Sequence, residues 1–199
     1  MSGRITEITA RIAKLEREFE RRFDAELVEK RRQLHYRVAE GRVAFDSGMT
    51  AVHARLRTHW VAYLWAMPRY SLLVSPVIYS LTAPLLALDA WLWLYQAVCF
   101  PVYGIEKVDR SRYIRLDRGH LPYLNWLERL NCDYCGYANG LVAYAREVSS
   151  RTEQYFCPIK HAARCPDEHG RYRAFADFGD AQAYRAALKP LRDELKRPG

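Results

Sequence analysis

The chain reads as mainly α: an N-terminal coiled-coil helix, a membrane helical hairpin and a small cysteine-rich helical metal-binding domain. Three observations predict this. Apolar residues recur at heptad spacing near the start; the run from Tyr70 to Ile105 carries one formal charge, Asp89; and the last third holds four cysteines and a histidine at ligand spacing. The implied segments are 1–47 (amphipathic, coiled-coil helix), 48–69 (interfacial amphipathic segment), 70–105 (membrane-embedded hairpin), 106–175 (cytoplasmic Cys/His metal-binding domain) and 176–199 (C-terminal amphipathic helix).

Bulk composition sets the frame. Lys and Arg total 31 against 23 Asp and Glu in 199 residues, a net charge of +8. That balance suits an anionic lipid surface or a nucleic acid, or merely a solvated basic surface. The mean hydropathy of −0.33 resembles a soluble protein, but it averages charged ends with an almost uncharged middle. Arg4, Glu7 and Arg11 precede any apolar stretch, so no secretion signal is expected. Five cysteines then argue for a reducing compartment and a metal rather than disulfides.

From Ile5 to about Val43 the pattern predicts one long amphipathic helix. Ile5, Ile8, Ile12, Leu15 and Phe19 alternate in steps of three and four, a heptad seam. Glu18 with Arg22 and Glu26 with Lys30 pair at i, i+4. Each pair contributes a few tenths of a kcal/mol. So narrow a stripe needs a partner: a second copy of the chain, a foreign helix, or a helix elsewhere in this chain. Acids nearly match bases here, which disfavours a nucleic acid. A short helix around Ala51 to Trp65 follows, mixing Trp60, Tyr63 and Trp65 with Arg55 and Arg57. That mixture fits the bilayer surface, or an ordinary helix packed on the protein.

The stretch from Tyr70 to Ile105 is too long for one straight span, which needs about 20 residues. Two short helices joined near Pro84 and Asp89 fit it, with Pro76 and Pro101 interrupting the arms. Both flanks are basic: Arg55, Arg57 and Arg69 before, then Lys107, Arg110, Arg112, Arg115 and Arg118 after. Both therefore favour the cytoplasm, which places both termini on that side of the lipid bilayer. A re-entrant or monotopic wedge and a buried hairpin of a soluble protein are the alternatives. Cys99, in the second arm, reads as a small apolar side chain.

The cysteine module is the main chemical signal. Cys132 and Cys135 form C-x-x-C followed by Gly136, and Cys157, His161 and Cys165 follow as C-x3-H-x3-C. The expectation is a helix ending at Asn131, a knuckle at Cys132–Gly136, a turn or helix start at Asn139-Gly140, a helix over Leu141 to Tyr155 and another beginning at Cys157-Pro158. On that last helix, ligands four apart would share a face. Zinc takes four thiolates, or three and an imidazole; an iron–sulfur cluster takes four thiolates. Zinc is the expected cofactor and an iron–sulfur cluster the alternative. Gly179-Asp180 reads as a stop and N-cap before a last amphipathic helix with Tyr184, Leu188, Leu191 and Leu195 on one side.

Nothing in the chain matches a nucleotide-binding glycine loop, a nucleophile elbow or a metalloprotease helix. His35, His53, His59 and His120 show no ligand spacing, and Glu147 and Glu153 read as solvated. The expected role is a membrane-anchored adaptor or assembly factor with a zinc-stapled cytoplasmic domain. An iron–sulfur electron carrier at the membrane is the second reading, and a metal-dependent enzyme on a membrane substrate the third.

Overall fold

Charged side chains alternate with apolar ones over the first thirty residues, and helix α1 (Ser2–Gln33) results. In the computed structural model, residues 2–39, 42–163 and 165–196 are described. The molecule is mainly helical. It divides into two compact units, Met1–Trp65 with Asp117–Leu130, and Ala66–Leu116 with Asn131–Gly199. These units cut across the expected segments: residues 117–130 leave the cysteine module, and the apolar helices share a unit with the rest of it.

In the first unit, α1 stops ten residues earlier than its pattern suggested. His35 takes a left-handed conformation (φ 51°), and an antiparallel hairpin follows: β1 (Tyr36–Ala39) with β2 (Arg42–Phe45). Tyr36 pairs with Phe45 and Val38 with Val43. The alternation Tyr-x-Val and Val-x-Phe about Glu40-Gly41 is a strand signal, which the helical count absorbed as more heptad. Then come α2 (Ser47–Arg55) and α3 (Trp60–Ala66). The guanidinium of Arg57 donates twice to the Pro122 carbonyl (2.9 and 2.8 Å), tying this segment to residues 117–125.

In the second unit, α4 (Arg69–Ser80) and α5 (Thr82–Tyr103) form an almost continuous rod. Leu81 between them stays in the right-handed helical region, and the 35 residues Arg69–Tyr103 together are long and apolar enough to cross a membrane. The expected turn at Pro84 and Asp89 is not there. Pro84 sits in the first turn of α5, where a missing N–H costs least, and Asp89 lies one and a half turns further along. Pro76 likewise stays inside α4, where the Ser75 hydroxyl donates to the Leu72 carbonyl (2.9 Å) that a proline cannot serve. Gly104, at φ 67°, closes α5 with Ile105 N–H on Phe100 O (2.8 Å).

α6 (Trp126–Phe156) begins at a capping box. The Asn125 side chain accepts from the N–H groups of Leu127 and Glu128 (3.0 Å each), and the Glu128 carboxylate accepts from Asn125 N–H (2.9 Å). The helix then runs through Asn131 and the C-x-x-C-G segment, both read as breaks, and through Asn139-Gly140, read as a turn or helix start, so the helix expected over Leu141 to Tyr155 is its C-terminal half. Those glycines serve packing instead. A Cβ at Gly140 would lie 2.6 Å from Tyr113 O and 2.9 Å from Ile114 Cα; one at Gly136 would lie 3.3 Å from Arg115 O. Two glycines a helical turn apart let the backbone of residues 113–115 press against α6.

The main core lies between α5 and α6. Leu85, Leu92 and Phe100 of α5 pack with Leu141, Tyr144 and Val148 of α6, joined by Ile105, Val108 and Leu195. After α6, Ile159 pairs with Ala176 in an isolated parallel bridge. Then α7 (Ala181–Glu194) starts where expected, with the Asp180 carboxylate accepting from Ala183 N–H (2.8 Å).

Candidate functional site

The expected metal ligands are not brought together. Cys132 and Cys135 lie on α6, and Cys157 follows its last residue. A continuous helix rises 1.5 Å per residue, so Cys135 and Cys157 are separated by about 33 Å. One ion cannot span that distance. Cys157-Pro158 ends a helix instead of starting one: Cys157 N–H donates to Glu153 O (2.8 Å) as the last helical bond, and Pro158 O accepts from Ala176 N–H (2.9 Å). His161 and Cys165 therefore lie on irregular chain outside any helix, not on a common helical face. His161 stacks on Tyr172 (ring centroids 6.1 Å apart). Among the described residues no three His, Cys, Asp or Glu side chains converge as a metal site would require. Cys99 is partly buried in α5, an ordinary packing position.

What the structure does assemble is a polar stripe between α5 and α6. On α5, Leu85, Asp89, Leu92, Gln96 and Phe100 succeed one another in steps of four and three, one face of the helix. Asp89 accepts two bonds from Arg110 (2.9 and 2.6 Å) and one from the Tyr137 hydroxyl of α6 (3.0 Å). Gln96 is buried; its amide bonds the Tyr144 hydroxyl, and its carbonyl accepts from Val108 N–H (2.7 Å). Further along, Tyr95 and Thr152 share a hydroxyl–hydroxyl bond (3.0 Å). Burial pushes the Tyr144 and Tyr137 phenols above their ordinary values.

A second cluster lies on the C-terminal half of α6. Glu147 accepts from Arg151 (2.9 Å) and from Arg171 (2.8 Å). Burial raises the Glu147 carboxyl, but the bonds from Arg171 and Arg151 outweigh it and hold the group below the usual glutamate range. Arg171 also donates to Gln154 (3.0 Å), whose amide reaches the Leu191 carbonyl of α7 (2.8 Å). His169 Nε2 meets Glu153 at 2.8 Å. Glu147, Arg151 and Gln154 recur at i, i+4 and i+7, so the stripe was present in the sequence; what it faces was not. A carboxylate held charged between two arginines is a poor base at neutral pH, so the cluster organises packing rather than proton transfer.

Among the described residues, nothing covers the remaining surface of the rod. Leu73 is 80% exposed, Val77 73%, Trp91 and Trp93 each 68% and Val102 74%. Only 6% of its most apolar window is buried, which separates it from the core helix of a soluble protein. On α1 the seam is equally open, with Ile8, Leu15 and Phe19 at 57%, 65% and 67% and Ile12 at 37%. The side chain of Ile5 lies outside the described residues. The chain matches no family model, no curated protein and no solved structure.

Proposed function

We infer that this protein is a membrane-attached adaptor. Its α4–α5 rod lies along one leaflet, and α1 offers an apolar seam to a helical partner, a second copy of the chain or another protein. One observation carries this: the rod is apolar and open on one side, while its opposite stripe is occupied by α6. At 35 residues it is about 50 Å long, against about 30 Å of hydrocarbon. α6, which packs on that stripe, carries Arg146, Glu147, Arg151 and Glu153. Charges in that number are too costly for the bilayer interior. An in-plane position lets the exposed tryptophans sit at headgroup depth and keeps the charged helix in water. This favours the monotopic arrangement over a crossing hairpin, and it agrees with basic flanks on one side of the membrane.

Zinc and iron–sulfur roles need the cysteines in one place, and their dispersal along and beyond α6 takes that support away. The adaptor reading stands without a metal staple.

Flotation with liposomes tests it. Wild-type protein should float with vesicles and be released by alkaline carbonate less readily than a peripheral protein held by charge. Trp91→Glu combined with Val98→Glu, on the open side, should leave it at the bottom of the gradient. Unchanged flotation of the double variant would refute the attachment proposed for α5.

A further inference from the structure

We propose that the first unit carries a binding pocket for a small aromatic carboxylate, a site independent of the membrane and adaptor roles above. The pocket has a volume of about 380 Å³. That is near the lower end of the range for small-molecule sites, about 300–1,000 Å³. Three stretches of chain build it: the β1–β2 hairpin, α2 and the segment around 117–123. Tyr36, Val43 and Phe45 give one wall, and Leu121 and Tyr123 another.

The lining is aromatic and arranged edge to face. Tyr36 and Phe45 lie 5.5 Å apart, Phe45 and His53 5.0 Å, and His53 and Tyr123 5.1 Å, the last two nearly perpendicular. These rings pack on one another into a continuous aromatic wall on which a planar ring can stack or abut.

One cation sets the other half of the ligand. His53 closes the wall with its ring, its Nδ1 being shut off from the cavity. Arg118, also in the lining and exposed, supplies a guanidinium whose fork matches a carboxylate. Asp117 lies beside it in the same wall. That negative charge disfavours a phosphate dianion and leaves a monoanion as the better fit. An apolar ring with one carboxylate satisfies the wall and the arginine together.

The test uses the full chain in nanodiscs of zwitterionic lipid, with empty nanodiscs subtracted, and cinnamate as probe. Saturable one-to-one binding of cinnamate is expected by titration calorimetry. Cinnamyl alcohol, the same shape without charge, should bind roughly tenfold more weakly, the loss of one charge-assisted hydrogen bond. Arg118→Gln should remove that difference, and Val43→Trp, which fills the pocket, should abolish binding of both. Absent saturable binding, equal affinity for the two compounds, or binding that survives Val43→Trp would each overturn the site. Should Val43→Trp fail to fold, the exposed Arg118→Gln decides alone: unchanged cinnamate affinity there overturns the proposal.

Discussion

Arg110 holds Asp89 by a two-pronged contact, Nε to Oδ1 at 2.9 Å and Nη2 to Oδ2 at 2.6 Å. Asp89 is the one formal charge between Tyr70 and Ile105, and its side chain is 16% exposed in this pair. The contact explains how a carboxylate is tolerated within an apolar helix. Arg110→Met strips the aspartate of its main partner while leaving it half-enclosed against Tyr137. The expected loss is about 1–3 kcal/mol, below the full cost of breaking a buried pair because Arg110 is 46% exposed. Replacing both, as Asp89→Leu with Arg110→Met, should recover most of it. Denaturant unfolding in a mild detergent measures both; a double variant worse than the single one would contradict this account.

Gly140 is the tightest point between α6 and the preceding loop. Gly140→Ala places a methyl against backbone that cannot retreat, 2.6 Å from Tyr113 O. A loss of about 1–3 kcal/mol is expected, as for overpacking elsewhere. Gly136→Ala, at 3.3 Å from Arg115 O, should cost clearly less. Thermal melts of the two variants side by side provide the comparison, and equal melting temperatures would show that α6 does not lie this close to residues 113–115.

The arginines around Glu147 imply a pH dependence with a definite sign. The folded carboxyl is depressed, so it binds its proton less readily than in the unfolded chain. Its contribution is therefore fully present above the ordinary glutamate value of about 4.3 and is lost as pH falls through the lower folded value. Stability measured from pH 7 down to pH 3 should drop at the acid end, and Glu147→Gln should flatten that part of the curve. An identical acid limb in the variant would remove Glu147 as its cause.

Continuity of α6 makes a prediction about thiols. Cys132 and Cys135 should not be joined to Cys157 within one chain by a short bismaleimide, because about 33 Å of helix separates Cys135 from Cys157. Peptide mass spectrometry of the monomer band identifies any such link. Finding one would mean that α6 breaks, and would bring the single metal site back.

The seam on α1 should self-associate if its partner is a second copy. A peptide of residues 2–33 should gain helicity with concentration and sediment as an oligomer, and Ile12→Asp should make it monomeric. A wild-type peptide that stays monomeric points to a foreign helix as the occupant.

Local pattern determined a good deal here. The heptad alternation made α1, the Asp180 cap placed α7, and the nearly uncharged run from Tyr70 to Ile105 made an apolar rod, because each depends on neighbours within a few residues. Tertiary contact decided the rest. Gly136 and Gly140 look like breaks in a one-dimensional reading; pressed against residues 113–115, they are what lets a 31-residue helix pack. The cysteine spacing suggested ligands, yet a spacing carries no distance until the intervening chain has a shape, and a straight helix is the shape that keeps Cys135 and Cys157 apart. Pro84 and Asp89 suggested a turn, but a proline in a first helical turn loses little, and Arg110, distant in sequence, neutralises the aspartate. Glu147 looked solvated because its partner Arg171 lies on a segment that only the folded chain brings back. Burial and pairing over long sequence separations are properties of the assembled structure, and no local period encodes them.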